Sequence, residues 1–316
     1  MRTNGVRHDA NCPSCEPSVI QGIQYDAEWL AAMHRGDFAA AWRINDIVMA
    51  GRDPAERDNP RLPYHLRWVW DGRDFHGQNV IVRCYHGLGD TIQFARYLPV
   101  LRPLVASLTI EVQPALMSLL ATVPGPDRLM PFHTGAPLPA GGCDLEIMEL
   151  AHALRLPPDD APQPPYLRCA PSLLPKGTIG ICWQTGDWDP ARGIPEVLMR
   201  HLLTVSGRSG RCVTVQPVPT SLPVLNPRAA PVDIMQTASL IAGVDLLITV
   251  DTLFAHLAGA LNRPTWLLLK HDADWRWMKD RSDSPWYPSM RIFRQPAPGD
   301  WQQVIADVAR HLTAVC

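Results

Sequence analysis

Between Leu240 and Leu261 an apolar run is broken at Asp251-Thr252 and restarts, and this pattern constrains the fold more than any other stretch of the chain. Leu246 to Val250 are aliphatic apart from Thr249, as in a parallel strand covered on both faces. Phe254 to Leu261 read as a helix, so Asp251 and Thr252 stand where the strand ends, in position to cap it. In an open α/β sheet, ligands lie beyond the carboxyl ends of the strands, where helix N-termini offer N–H groups to anions. The same residues also suit a strand, a capped turn and a core helix with no ligand.

The rest of the chain fits that frame. Its 316 residues leave room for two domains, and with 46% hydrophobic and 19% charged residues it has the composition of a globular protein. A net charge of −2 provides no footprint for nucleic acid. There is no apolar run of about 18 residues and no signal-peptide core near the start, so the expected location is cytoplasmic, with peripheral membrane contact left open. Eight cysteines are scattered and read as small core residues rather than a disulfide framework. Cys12 and Cys15 have metal-like spacing, but no second pair or histidine follows at zinc spacing.

Four segments are expected. Residues 1–22 read as a flexible leader. Residues 23–63 hold a helical hairpin, Tyr25 to His34 and Phe38 to Met49 around Gly36, followed by a linker. It resembles a single tetratricopeptide-like repeat, which cannot bury its own faces and should dock on the main body or on another subunit. Residues 64–172 alternate strand and helix, with strands at Asn79 to Cys84, Leu108 to Val112 and Cys143 to Ile147, and helices at Thr91 to Leu101 and Ala115 to Thr122. After a proline-dense boundary, residues 173–316 repeat the theme, with strands at Thr178 to Trp183, Cys212 to Gln216, Leu246 to Val250, Thr265 to Leu269 and Arg291 to Arg294, and a helix from Trp301. The fold class is therefore α/β, two Rossmann-like domains facing each other across a cleft.

The first strand of the first domain runs into His86-Gly87-Leu88-Gly89-Asp90. Gly87 and Gly89 allow close approach and positive φ, and Asp90 faces the cleft from the helix start. A simple Asp N-cap after a glycine turn is the alternative, since the third glycine of a dinucleotide fingerprint is missing. His256 lies one helical turn beyond Thr252 and on the same face, as a ligand contact or a satisfied core histidine. Thr185 and Gln216 are polar lining or turn residues at two strand ends. Trp183, Trp275 and Trp277 are aromatic lining candidates, and packing under a long loop is the expected role for at least half of the late aromatic residues.

Together, His86 to Pro99, Asp251 to Leu261, Asp274 to Trp277 and Asp283 to Pro288 resemble the glycosyltransferase domain attached to tetratricopeptide proteins, which is similar to the heptosyltransferases of glycosyltransferase family 9. The resemblance spans roughly residues 65–312. It implies the GT-B fold and an inverting, metal-independent transfer from a nucleotide-diphospho-sugar, ADP-linked by preference, to the hydroxyl of a glycan, protein or small-molecule acceptor. No further cofactor is implied. Asp90 falls on the family's candidate general base, while Asp251, Thr252 and His256 fall on its donor element and Arg192 on its loop arginine. Asp187 and Asp189 stand where that loop is usually basic. From the chemistry, a hydroxyl nucleophile needs a nearby proton acceptor, and a departing diphosphate needs N–H groups, hydroxyls and cations. Asp251, being an anion, should cap the helix or bind a hydroxyl, leaving the phosphates to Thr252 and backbone N–H groups. A non-catalytic scaffold with the same shell, a sugar-nucleotide epimerase, and a homo-oligomer formed through the hairpin are the other readings.

Overall fold

The computed structural model describes residues 17–186, 188–208, 210–216, 218–225 and 233–314. The chain opens with α1 (Pro17–His34) and α2 (Phe38–Ala50). Gly36, at φ +73°, makes the turn between them, and the Asp37 carboxylate accepts the Ala40 N–H at 3.0 Å to start α2. Since α1 begins at Pro17, residues 17–22 are helical rather than leader. Cys12, Cys15, Asp187 and Cys316 lie outside the described residues. Cys84, Cys143, Cys182 and Cys212 are free and buried, as core residues should be.

The first domain is built on β1 (Asn79–Arg83), β2 (Ser107–Val112), β3 (Arg128–Pro131) and β4 (Cys143–Glu146), all parallel in the order β3-β2-β1-β4. Its helices are α3 (Leu88–Phe94), α4 (Leu98–Leu101), α5 (Met117–Leu120) and α6 (Leu150–Ala153). Because α3 starts at Leu88 rather than Thr91, Asp90 lies within its first turn. At the middle of this sheet the fully buried Arg83 donates to Glu111 on β2 at 2.5 Å and to Asp144 on β4 at 2.9 Å. Three adjacent strands thus share one buried charge network, which is costly to break by removing one member.

The second sheet carries β5 (Ile179–Cys182), β6 (Cys212–Thr214), β7 (Leu246–Val250), β8 (Thr265–Leu269) and β9 (Met290–Arg294), parallel in the order β6-β5-β7-β8-β9. It is flanked by α7 (Glu196–Val205), α8 (Ile234–Gly243), α9 (Leu253–Ala260) and α10 (Trp301–Ala314). Leu247, Ile248, Thr249 and Val250 on β7 are all buried, as a strand covered on both faces requires. Together the sheets make the GT-B arrangement of two Rossmann-like domains, with β1 and β7 running toward a common cleft.

The two domains are joined closely. A Cβ at Gly259 would sit 2.4 Å from the Tyr287 ring, so only glycine lets α9 pack here. The Tyr166 hydroxyl, on the connection between domains, donates to Ile92 O at 3.0 Å, while its own N–H donates to Ala260 O at 3.1 Å. The hairpin docks on both domains. Asp46 on α2 binds His152 at 2.8 Å and Arg155 at 2.6 Å in the first domain. Trp29 on α1 meets Trp275 edge to face with ring centres 5.4 Å apart, and Phe38 meets Trp286 at 6.1 Å. Met33 and Phe38 enter the same core as the first sheet. Burying side chains of this kind contributes roughly 1.5–3 kcal/mol each.

Candidate functional site

A cavity of about 750 Å³ opens between the carboxyl ends of β1 and β7. Its first wall is the turn from β1 into α3. Gly87 is the N-cap, with its N–H donating to Asp90 Oδ2 at 2.8 Å, so the acid closes its own turn. Gly87 has φ −70° and Gly89 is not in the positive-φ region, so neither uses the left-handed freedom expected of it. Gly89 is required for close approach instead: a Cβ there would meet the His256 ring at 2.8 Å. Gly89 thus admits a side chain of the opposite domain, while the neighbour of Gly87 is Asp90 of its own turn.

The other Asp90 oxygen, Oδ1, accepts from Arg276, a buried residue in the Trp-rich loop of the second domain. That guanidinium also donates to Gln93 Oε1 at 2.6 Å and Asp274 Oδ1 at 2.8 Å, and lies over the Trp275 ring at 4.5 Å. Burial opposes its charge, but Asp274 and Asp90 outweigh burial and raise its pKa above the ordinary arginine value.

On the same wall, His86 Nδ1 lies 2.8 Å from Glu146 Oε1 at the end of β4. Glu146 is fixed by N–H groups of Tyr85 at 3.3 Å and Met148 at 2.7 Å. Gln113 Nε2 donates to the His86 carbonyl at 2.9 Å, securing the backbone. From α1, Asp26, Trp29 and Leu30 complete this side of the cavity.

The opposite wall is the turn from β7 into α9. Thr252 holds the N-cap position, but its hydroxyl donates back to Val250 O at 3.3 Å and does not cap the helix. Nor does Asp251, contrary to the sequence expectation; α9 therefore begins without a side-chain acceptor for its N–H groups. Arg192 Nη1 donates to Asp251 O at 2.8 Å, which places the guanidinium beside that helix end. The charge of Asp189 is met by cations, with Lys270 Nζ 2.7 Å and Arg192 3.9 Å from Asp189 Oδ2. The carboxylate also accepts the Ala191 N–H at 3.2 Å, forming the short turn that presents Arg192.

Burial, reinforced by Asp274, raises the Asp251 pKa to about 6, against the pull of Arg192 and Arg276. Burial and the charge of Arg276 lower that of His256 to about 3, so its ring is neutral. His256 Nδ1 lies 3.0 Å from the Tyr287 hydroxyl and its ring stacks on Trp277 at 5.4 Å. It lines the cavity and packs closely against Gly89 of the opposite domain.

Asp90, Gly87, Gly89, Thr185, Arg192, Asp251, Thr252, His256 and Trp275 all line the one cavity. Three expected lining residues do not. Gln216 is buried, its Oε1 accepting the N–H groups of Trp183 and Gln184 at 3.1 Å each, so it fixes the end of β5 instead. Trp183 is buried in the core against α7 and α10, and Trp277 is buried behind His256. Trp277, Trp286 and Tyr287 act as packing, leaving Trp275 as the ring of that loop exposed to the cavity. Sequence reasoning missed Glu146, Lys270, Asp274 and the α1 residues. Of the two arginines expected to add charge to the cleft, Arg276 lines it, whereas Arg281 pairs with Asp283 at 2.7 Å away from the cavity.

Among the described residues, no group of three or more His, Cys, Asp or Glu is placed to hold a metal ion, and no helix is long and apolar enough to cross a membrane. Residues 227–295, which span the second wall, match the model of glycosyltransferase family 9 (heptosyltransferase). Among solved structures, a family 9 glycosyl transferase from Veillonella parvula shares the fold at TM-score 0.55 and 13% identity, over 77% of this chain and 99% of that one. The ADP-heptose LPS heptosyltransferase II of E. coli does so at TM-score 0.54 and 15% identity, over 75% and 99%. The FlbA protein of Caulobacter vibrioides is 24% identical over 309 residues, covering 82% of this chain and 50% of FlbA, so the chain spans about half the length of that relative. With β1 and β7 meeting across one cleft, the similarity to glycosyltransferase family 9 (heptosyltransferase) falls on residues 227–295, around the second of its walls.

Proposed function

We propose that the protein transfers a sugar from a nucleotide-diphospho-sugar to an acceptor hydroxyl, with inversion at the anomeric carbon and without a metal ion. The observation that carries this reading is the division of the cavity. The uncapped start of α9, with Arg192 alongside, faces a wall that carries the carboxylates of Asp90 and Asp26 and the His86 imidazole. Growing negative charge on a leaving diphosphate is met by the helix N–H groups, the Thr252 hydroxyl and Arg192. The acceptor hydroxyl enters from the other wall, beside His86 and Asp90. In an inverting displacement the nucleophile and the leaving group lie on opposite faces of the anomeric carbon, which this separation suits.

An ADP-linked donor, a heptose first among them, is favoured because the E. coli neighbour is named for ADP-heptose. Trp275 and Trp29 offer ring faces for a sugar or for the acceptor. We place the protein in the cytoplasm, where a nucleotide-sugar donor would be at hand.

Thermal unfolding with ADP, GDP, UDP and their sugar conjugates tests the reading. A nucleotide at ~100 times its dissociation constant adds roughly 2.7 kcal/mol of stability. ADP and ADP-sugars are expected to give the largest rise in Tm. No rise with any of these nucleotides overturns the proposal.

A further inference from the structure

We propose that the chamber beneath the helical hairpin is an acceptor subsite that takes a sugar ring of a glycan, with Asp26 and Asn45 binding its hydroxyls. The inference rests on the glycosyl-transfer reading and names its acceptor class.

The hairpin presents the same pair of side chains twice. On α1, Asp26 and Trp29 lie three residues apart and so share a face, and on α2, Trp42 and Asn45 do the same. All four are half-buried and line a second cavity of about 410 Å³, bounded by the hairpin, the linker and the end of β4. That volume is in the range of small-ligand sites. The chamber communicates with the main cavity through residues common to both, among them Asp26, Trp29, His86 and Trp275. A ring held beneath the hairpin therefore directs the next part of its chain toward the wall that carries Asp90.

The other charged groups of the chamber have partners within the protein. Arg52 donates to Trp70 O at 3.2 Å, pairs with Glu149 at 3.5 Å and lies over the Trp68 ring at 5.0 Å. Arg67 pairs with Asp58 at 3.3 Å, His152 with Asp46 at 2.8 Å and Glu146 with His86 at 2.8 Å. By contrast, the Asp26 carboxylate and the Asn45 amide have no hydrogen-bond or ion-pair partner among the described residues. Burial raises the pKa of Asp26, as it does for a carboxylate drawn partly out of water with no donor to meet it. A cationic ligand would meet Arg52 and Arg67 in the same chamber, and an anionic one would meet Asp26. A neutral ring bearing hydroxyls suits both groups: it donates to the carboxylate, exchanges hydrogen bonds with the amide, and lays its C–H face on an indole.

Saturation-transfer NMR on the full chain tests this with methyl glycosides and disaccharides of glucose, galactose, mannose and a heptose, and with a peptide rich in serine and threonine as the competing class. ADP binding is measured in parallel. At least one saccharide is expected to bind saturably, with or without ADP. Asp26→Asn should raise its Kd about 10-fold and Asn45→Ala about 5-fold. Asn45→Ala removes no hydrogen bond within the described protein, so it keeps the test open if Asp26→Asn fails to fold. Failure of every saccharide to bind, or an unchanged Kd in folded variants, overturns the inference. So does binding of the peptide that both variants weaken, which would make the chamber a site for a protein acceptor. Nucleotide binding without saccharide binding brings down this inference alone, and saccharide binding without nucleotide binding brings down the glycosyl-transfer reading instead.

Discussion

The two strand-to-helix turns facing each other across the cleft have the same topology and opposite chemistry. At the end of β1, the turn is saturated from within: Asp90 takes the Gly87 N–H and is itself held by Arg276. At the end of β7, the Thr252 hydroxyl turns back to Val250 O and the first N–H groups of α9 have no side-chain acceptor. The first turn already contains its anion, and the second is built to receive one. A sequence reading that treats both as capped turns misses this asymmetry, because capping is decided by where one hydroxyl or carboxylate points.

The largest expected effect breaks the saturated turn. Arg276→Leu leaves Asp90 buried with no cation and removes the bond to Gln93. Removing one partner of a buried pair costs about 3–5 kcal/mol, which urea denaturation should register as a lower midpoint. A loss below about 1 kcal/mol would mean that the pair is an incidental contact and that Asp90 is free for chemistry.

How much of this was legible in the sequence follows from the range of the interactions. β7 and β8 are apolar runs and α10 has a clear helical period, so local pattern was sufficient to place them. β3 was missed because it is a short edge strand with alternating exposure that ends in Pro131. Thr252 was legible through its position after a strand, and Arg192 through the family resemblance alone. The pairing of His86 with Glu146 was not, because it joins residues 60 apart and depends on β4 lying beside β1. Nothing in periodicity separates Trp275, which lines the cavity, from Trp277, which is buried behind it. That difference is set by packing against His256 and the hairpin.

The next effect tests the open turn through its two perturbed groups. Asp251 titrates at about 6 in the folded protein against an ordinary 3.8, so the folded state holds the extra proton between these values and stability falls as pH rises through that window. His256 titrates at about 3 against an ordinary 6.5, so the unfolded state holds the extra proton and stability falls as pH drops from 6.5 toward 3. Between about pH 4 and 6 the two slopes oppose each other. Asp251→Asn removes one of them, and its unfolding free energy should then fall on acidification by about 1.4 kcal/mol per pH unit more steeply than the wild type. Parallel pH profiles for variant and wild type would show that Asp251 titrates as an ordinary surface acid.

The smallest effect separates ligand binding from capping at Thr252. An N-cap side chain that accepts a helix N–H is worth about 1 kcal/mol, and Asp233 is such a residue, accepting the Met235 N–H at 2.8 Å at the start of α8. Asp233→Ala should therefore cost about 1 kcal/mol. Thr252→Ala should cost less than about 0.5 kcal/mol, because Val250 O keeps the Thr249 hydroxyl as a donor at 3.0 Å and no helix N–H loses its acceptor. The same Thr252→Ala change should nevertheless weaken ADP binding by about 10-fold, the loss of one charge-assisted hydrogen bond to phosphate, whereas Asp233→Ala leaves it unchanged. Titration calorimetry alongside thermal unfolding resolves the two. If Thr252→Ala costs a full cap and leaves ADP affinity intact, the turn after β7 is as self-contained as the turn after β1, and the chemical distinction between the two walls is lost.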